Sequence, residues 1–108
     1  MEPIKQKEAK TIRFTVTDPN KDDEAVDCSS TTCTFIVVKN PGDTPEITKA
    51  DAFFDKTNAE DGLLDLLLDE EDTDITADFY LGQLKIIFTD GSIDKSPDLT
   101  IRIKEALD

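Results

Sequence analysis

The chain is 108 residues long, with 37% apolar residues and a formal net charge of −13 that arises from 25 acidic and 12 basic residues. A surface this acidic repels phosphate backbones and anionic lipids, which argues against nucleic acids and membranes as partners. The chain has no His, so Ser–His and Cys–His catalysis and the commonest zinc sites are excluded. The carboxylates form no recognisable catalytic arrangement. We therefore predict a protein that is not an enzyme, with no catalytic, cofactor-binding or metal-binding residues.

The sequence predicts one domain that covers residues 1–108. Its first nine residues, 1–9, are polar and are expected to be flexible. No apolar run approaches the ~20 residues needed to span a bilayer. The N-terminal stretch also lacks the apolar core of a signal peptide. These features predict synthesis in a cytoplasm without export by the general route.

Alternating apolar and polar residues predict the first strand of the chain. It covers residues 10–17, and its inward residues are Ile12, Phe14 and Val16. A turn follows at residues 18–22, where Pro19 fixes φ and neighbouring Asp and Asn side chains can bond back to the backbone. The chain thus opens with a strand and a polar turn.

The next strand, at residues 33–39, carries apolar side chains on both faces. Its inward residues are Cys33, Phe35 and Val37. Ile36 and Val38 point the other way, so the outer face is not purely polar. Such a face is a candidate contact surface.

Two further strands are predicted in the middle of the chain. We interpret residues 46–55 as one strand and residues 63–68 as another. The Leu-rich sequence of residues 63–68 is also compatible with a helix, but its short length favours a strand. Residues 69–78 form an acidic connector, in which Thr73 or Asp74 is expected to cap a single helical turn.

The last third of the chain predicts a long β-hairpin at the centre of the fold. The inward residues of its first strand are Tyr80, Leu84, Ile86 and Phe88, and Gly82 shares their parity. Asp90 and Gly91 supply a two-residue turn. The returning strand has the inward residues Leu99, Ile101 and Ile103. About seven short strands, separated by turns every ten residues or so, predict an all-β antiparallel sandwich.

Cys28 and Cys33 leave three interpretations open. Their spacing is not the C-x-x-C of redox and zinc sites, and both are expected to face inward. Buried free thiols are favoured, because a buried Cys behaves as a small apolar residue and a cytoplasmic origin disfavours disulfides. A disulfide and a metal site are the alternatives.

One turn partly imitates a calcium-binding loop. Asp18, Asn20 and Asp22 have the spacing of its first ligands. However, Asp23 stands where Gly is needed, and Ser29 stands where a bidentate Glu is needed. We interpret the segment as a polar β-turn.

Residues 69–74 form the densest acidic run in the sequence, DEEDTD. Like charges this close repel one another unless something neutralises them. We interpret the run as a solvated connector, with chelation of a cation as the alternative.

Tyr80 is the only tyrosine and stands at the start of the central strand. A phenol there can pack its ring in the core and bond its hydroxyl to nearby backbone, as in the tyrosine corner of sandwich folds. We predict this structural role rather than a binding role.

Three blocks of the sequence together resemble a known family. The blocks are KTIRFTVTD at 10–18; AVDCS at 25–29 leading into TCTFIV at 32–37; and DTDI at 72–75 followed by YLGQLKI at 80–86, the DG turn at 90–91, Pro97 and LTI at 99–101. They resemble the immunoglobulin-like domain at the N-terminus of tailed-bacteriophage baseplate upper proteins and related tail or fibre components. The resemblance spans about residues 9–103.

The chain departs from that family pattern in three places. Cys28 stands where Leu is usual, Ser30 where Gly is usual, and Asp78-Phe79 replaces Pro-Gly before the tyrosine. These departures leave the strand pattern intact but leave the loop conformations open. The resemblance implies an immunoglobulin-like β-sandwich and offers no catalytic residues to carry over.

The resemblance implies a structural or assembly protein of a phage or prophage tail, acting by protein–protein contact. Its partners would be other tail or baseplate proteins or further copies of itself, and it would reside in the virion after synthesis in the bacterial cytoplasm. The outward side chains of Ile36, Val38 and Ile87 agree with such contacts. The alternative is a cation-dependent adhesive or carbohydrate-binding sandwich, which rests on the acidic loops alone.

Overall fold

A computed structural model of the chain describes residues 2–107. Its regular structure consists of strands and short 3-10 turns, and the described residues contain no α-helix. The strands are β1 (Ile4–Lys5), β2 (Lys10–Thr15), β3 (Thr17–Asp18), β4 (Glu24–Ala25), β5 (Thr32–Val38), β6 (Ile47–Lys49), β7 (Phe54–Asp55), β8 (Leu63–Leu68), β9 (Asp78–Ile87), β10 (Ile93–Lys95) and β11 (Leu99–Lys104). The 3-10 turns are Pro19–Lys21, Asp51–Phe53 and Ala59–Asp61.

The strands form two main sheets. The larger sheet has the order β1-β11-β9-β5-β6, with β10 also paired to β9, and the smaller sheet has the order β2-β8-β7. Strands β3 and β4 pair with each other as a separate two-stranded ribbon that continues from the end of β2. Two main sheets that share one core form a sandwich-like arrangement, so the predicted all-β class is confirmed. The larger sheet is mixed rather than purely antiparallel, because β1 runs parallel to β11.

One hydrophobic cluster fills the space between the sheets. Phe35 of β5 is completely buried and meets Phe14 of β2 with ring centroids 5.5 Å apart. Gly82 lies beneath this pair, where an added Cβ would stand 2.6 Å from the Phe35 ring and 2.7 Å from Ile101. The inward half of each alternating pattern therefore supplies the core, as the sequence predicts, and Gly82 makes room for Phe35.

The predicted hairpin is present, with one irregularity. The chain reverses at Asp90 and Gly91, and Gly91 has a φ of +89°, which favours glycine. Strand β10 then pairs with the end of β9, and β11 pairs with its beginning. The register shifts by one residue between them, at Ser96, whose hydroxyl accepts a hydrogen bond from the Leu84 amide at 2.9 Å. This bulge turns Ile101 toward the core.

The predicted strand at residues 63–68 is confirmed as β8, and its helical alternative is wrong. Residues 33–39 correspond to β5, which begins one residue earlier and ends one residue earlier than predicted. Both keep the expected inward residues: Leu64, Leu66 and Leu68 from β8, and Cys33, Phe35 and Val37 from β5.

The interpretation of residues 46–55 as one strand is wrong. The segment divides into β6 in the larger sheet and β7 in the smaller sheet, with the 3-10 turn Asp51–Phe53 between them. The Asp51 carboxylate holds this crossing by accepting hydrogen bonds from the Cys33 amide at 2.7 Å and the Lys56 ammonium at 2.6 Å. The Asp51–Cys33 contact joins residues that are far apart in the sequence, so local periodicity could not predict it.

The structure also differs from the expectation of a flexible segment at residues 1–9. Ile4 is completely buried and pairs in β1 with Ile103 of β11. The Gln6 side chain donates a hydrogen bond to the Ile75 carbonyl at 2.9 Å. A single apolar residue among polar neighbours produces no periodic signal, which is why the pattern did not predict this strand. Met1 lies outside the described residues.

The predicted helical turn capped by Thr73 or Asp74 is absent from the described acidic connector. Thr73 is instead completely buried, and its hydroxyl donates a hydrogen bond to the Glu8 carbonyl at 2.8 Å. The connector is a tight turn in which the Asp69 carboxylate accepts from the Asp72 amide and the Asp72 carboxylate accepts from the Asp69 amide, both at 2.9 Å.

Candidate functional site

The outward face of the larger sheet is the candidate functional site. Ladder pairing between β5 and β9 places Val38 opposite Leu81 and Ile36 opposite Gln83, and none of these four side chains points to the core. Ile87 lies on the same face, near the turn end of β9. The prediction that Ile36, Val38 and Ile87 face outward is therefore confirmed.

Two large apolar side chains are well exposed on this face. Phe79 of β9 is 56% exposed and Ile93 of β10 is 55% exposed. The Arg102 guanidinium lies 5.4 Å from the centre of the Phe79 ring, so the arginine is held over an aromatic face. Ile93 stands directly opposite Ile87 in the ladder. The two exposed residues thus stand near opposite ends of β9, with half-buried aliphatic side chains between them.

A shallow depression of about 340 Å³ lies at the middle of this face. Ile36, Val38 and Leu81 line it from the strands. The turn between β5 and β6 and Asp98, which precedes β11, contribute the remaining wall. The depression is thus mainly aliphatic where the strands form it and carries acidic groups only from adjoining turns.

The charged side chains at the strand positions of this face are all of one sign. Ladder pairing places five basic side chains outward: Lys5, Lys85, Lys95, Arg102 and Lys104. In the part of the chain that the structure describes, no strand position on this face is Asp or Glu. Such a distribution is unexpected in a chain with twice as many acidic as basic residues.

The sequence reasoning missed this basic character, although one signal was available. Lys85 and Lys95 are equidistant from Asp90, so a hairpin that turns at Asp90 brings them opposite each other. The pairing of Lys5 with Lys104 could not have been found in this way, because β1 was not predicted.

Tyr80 has the structural role predicted for it. The side chain is 4% exposed, and its hydroxyl donates a hydrogen bond of 2.6 Å to the carbonyl of Thr76. Burial, followed by the charges of Glu46 and Asp78, raises the pKa of the phenol. This tyrosine corner anchors the chain where it enters β9.

Cys28 and Cys33 are both buried and are free thiols in this structure. The Cys33 sulfur lies 3.5 Å from the Thr31 hydroxyl. Burial, reinforced by the neighbouring Cys33 and Asp27, raises the pKa of Cys28 to about 11, and burial also raises the pKa of Cys33. Because the thiolate is the nucleophile and metal ligand, raised pKa values keep both groups in their unreactive form.

The turn that imitates a calcium-binding loop is built as a polar turn. The Asp18 carboxylate accepts a hydrogen bond from the Asn20 amide at 2.9 Å and caps the 3-10 turn Pro19–Lys21. Asp22 and Asp23 both have positive φ, at 54° and 57°, and their side chains are exposed. The acceptor oxygen of Asp18 is therefore occupied by the turn itself.

The acidic run is neutralised in part by a buried lysine. Lys49 of β6 is 3% exposed, and its ammonium lies 2.6 Å from the Asp72 carboxylate and 3.8 Å from the centre of the Phe53 ring. Lys49 occupies an inward position of the ladder opposite Phe35. The pair joins the larger sheet to the connector after β8, so the run is tied to the fold rather than fully solvated.

Residues 2–107 contain neither a cluster of metal-ligating side chains nor a membrane-spanning helix. No group of three or more His, Cys, Asp or Glu side chains is placed to hold a metal ion. No helix there has the length and hydropathy required for a membrane span.

None of the protein-family models matches the chain, and a search of the curated proteins found no match to its sequence.

Proposed function

We propose that this protein is a non-enzymatic structural or assembly component of a phage or prophage tail, acting in the baseplate or a fibre by protein–protein contact. Two things support the proposal. The first is the sequence resemblance, whose blocks fall largely on the core strands β2, β5, β9 and β11. The second, which carries it, is the outward face of the larger sheet.

That face has the character of a protein contact surface. Phe79 and Ile93 are each more than half exposed, although burying large apolar side chains is normally favourable. Aromatic residues and arginine are enriched in protein interfaces, and Arg102 lies against the Phe79 ring. The side chains stand on paired strands, so little backbone conformational entropy is lost when a partner binds.

The proposed role sets the expected partners and location. The partners are other proteins of the tail or baseplate, with further copies of this chain as a second option. The protein is made in the bacterial cytoplasm and becomes part of the virion. Contacts of this kind use surfaces rather than reacting groups, which agrees with the raised pKa values of the buried Cys28 and Cys33 thiols.

No specific observation favours the alternative, a cation-dependent adhesive or carbohydrate-binding module. The acidic run was its main support, and there the Lys49 ammonium already lies against the Asp72 carboxylate. The Asp69 carboxylate accepts the Asp72 amide of the same turn. A divalent cation at this site would have to compete with the lysine.

The proposal is tested in the strain that encodes the protein. Particles are induced, purified on a density gradient and probed with antibody against this chain by immunoblot and immunogold electron microscopy. We expect the chain in tailed particles at a fixed ratio to other tail proteins, with gold at the tail. A deletion strain should yield incomplete tails. Antigen absent from particles, together with intact infectious tails in the deletion strain, would contradict the proposal.

A second measurement separates the proposal from its alternative. Molar mass is measured by light scattering during size exclusion, first with chelator and then with calcium. The tail proposal predicts the same mass in both buffers. Association that appears only with calcium would favour the adhesive module.

A further inference from the structure

We infer that the outward face of the larger sheet binds an acidic surface of another protein. The inference rests on the proposed function for the identity of that protein, which would be a neighbour in the tail. The physical grounds are separate and lie in three features of the face: its charge, the absence of internal counter-ions among the described residues, and the position of its apolar side chains.

The first feature is the pairing of like charges. Lys85 of β9 stands directly opposite Lys95 of β10, and Lys5 of β1 stands beside Lys104 of β11. Like charges directly opposite on a sheet destabilise it. A chain with 25 acidic residues retains two such basic pairs on one face.

The second feature is that no internal carboxylate compensates for these pairs within residues 2–107. Salt bridges there involve the bases Arg13, Lys39, Lys49 and Lys56. None of the five basic side chains of the outward face takes part in one. The positive charge of the face is therefore left available to an external group, whereas several bases elsewhere are already used by the fold.

The third feature is the order of side chains along the face. Phe79, which is paired with Arg102, and Lys85 are separated by about 20 Å of extended strand. The depression lined by Ile36 and Leu81 lies between them, with Asp43 and Asp98 contributing to its wall from the adjoining turns. Basic groups thus stand on both sides of an apolar centre, as in interfaces with a hydrophobic core and a polar rim.

These features select one class of partner. Two copies joined face to face would bring lysine against lysine, which opposes a symmetric dimer through this face. A nucleic acid would present phosphates to the bases but no aliphatic surface to fill the depression between them. A protein surface with carboxylates around an apolar patch complements both the bases and the depression.

The test uses the whole ¹⁵N-labelled chain and a defined probe, a random copolymer of glutamate and tyrosine. Amide shifts are followed by NMR during titration at low and at physiological salt. We expect saturable perturbations on β5, β9, β10 and β11, weaker at higher salt. Perturbations confined to β2 and β8, or none, would overturn the inference. Shifts on the same face when the free protein is diluted would indicate self-association and would also overturn the inference. So would shifts caused by duplex DNA at a lower concentration than the copolymer requires.

Matched variants complete the test. Lys85→Glu/Lys95→Glu should weaken copolymer binding about tenfold or more. The control Lys10→Glu/Lys21→Glu makes the same change in net charge away from the face and should bind as the wild type does. Equal weakening in both would show a non-specific charge effect and overturn the inference. If the first variant fails to fold, Lys5→Glu/Lys104→Glu provides the same test at the other end of the face.

The result of this binding test is independent of the test of the proposed function. Binding of the copolymer at the face, with no chain in tailed particles, would retain the acidic-partner surface and reject the tail role. A chain that is found in particles but does not bind the copolymer at this face would retain the tail role and reject the acidic-partner surface.

Discussion

The two sheets present outward faces that treat charge in opposite ways. On the smaller sheet, Arg13 makes two hydrogen bonds to Asp65, at 2.7 and 2.9 Å, across the β2–β8 ladder. That contact lowers the pKa of Asp65. On the larger sheet, Lys85 faces Lys95 with no carboxylate in salt-bridge range among the described residues. The first face has an internal salt bridge beside its facing carboxylates Asp55 and Asp65, and the second leaves its paired lysines to an external group.

The difference teaches how a contact surface can be recognised from the arrangement of its charges. Both faces carry exposed apolar residues, since Leu67 on the smaller sheet is 52% exposed and Phe79 on the larger is 56% exposed. Exposed apolar residues therefore do not distinguish the faces. Like-charge pairs do not distinguish them either, because Asp55 stands opposite Asp65 on the smaller sheet. What distinguishes them is compensation: Arg13 is bonded to Asp65, whereas among the described residues no carboxylate forms a salt bridge with the paired lysines of the larger sheet. The cost of uncompensated like charges is understandable if a partner relieves it.

The largest expected effect contrasts the inner and outer sides of β5. Phe35→Ala should lower the free energy of unfolding by about 3–5 kcal/mol, because the ring is completely buried against Phe14 and its removal leaves a cavity. Ile36→Ala, one residue along and on the outward face, should cost clearly less. Urea denaturation measures both. Equal losses would contradict the assignment of the two sides.

A smaller effect contrasts a buried lysine with exposed ones. Lys49→Ala should lower the free energy of unfolding by about 1.5–3 kcal/mol, because it removes a charged hydrogen bond to Asp72 and contact with the Phe53 ring. Lys104→Ala, on the outward face, should change it by at most about 0.5 kcal/mol. Thermal unfolding of both variants provides the measurement, and a larger loss for Lys104→Ala would reverse the contrast.

The interior between the faces gives a prediction about pH. Burial raises the pKa of Cys28 from 9.0 to about 11. Below pH 9.0 the thiol is protonated in both states, so the shift has no effect there. Above pH 9.0 the unfolded chain loses this proton first, which stabilises the unfolded state. The free energy of unfolding should therefore fall between pH 9.0 and about 11.

The variant Cys28→Ala isolates this effect from other groups that titrate in the same range. Urea unfolding of wild type and variant is compared at each pH. Their difference should be constant below pH 9.0, and the wild type should then lose stability faster than the variant. Parallel curves across the whole range would contradict a buried, protonated thiol.

The smallest expected effect lies on the outward face itself. Lys85→Glu alone places opposite charges across the ladder at Lys95, in place of two like charges. It should raise the free energy of unfolding by about 0.2–1 kcal/mol, with a smaller gain at high salt. Lys21→Glu, in the polar turn, provides the control for the change in net charge. A loss of stability at low salt would show that the lysine pair is not a strained feature of the fold.

The sequence predicted the parts of the fold that local periodicity encodes. One parity of β2, β5, β8, β9 and β11 supplies the core as predicted, although β5 and β8 also carry apolar residues on the other face. Phe88, predicted to be an inward residue of the first hairpin strand, lies just beyond β9 and is half-buried. The structural role of Tyr80 was also predicted correctly: its ring is buried and its hydroxyl bonds to the backbone carbonyl of Thr76. A tyrosine at the start of a central strand has few other ways to satisfy a buried hydroxyl.

Features that depend on distant contacts could not be predicted in the same way. The crossing at Asp51 depends on the Cys33 amide, and the buried position of Thr73 depends on the Glu8 carbonyl. Half of the candidate site could be predicted from the sequence, because strand alternation places Ile36 and its aliphatic neighbours on the outward face. The basic character of the face appears only once β1, β10 and β11 are placed in the sheet with β9.

The most direct test of the account is incorporation of face variants into assembled particles. The gene is replaced in its own strain by Lys85→Glu/Lys95→Glu or by the control Lys10→Glu/Lys21→Glu, and purified particles are immunoblotted for the chain. The account predicts that the control is incorporated at the wild-type level, while the face variant is folded and soluble but missing from particles. Equal incorporation of both variants would contradict the claim that the outward face of the larger sheet is the surface through which this protein acts.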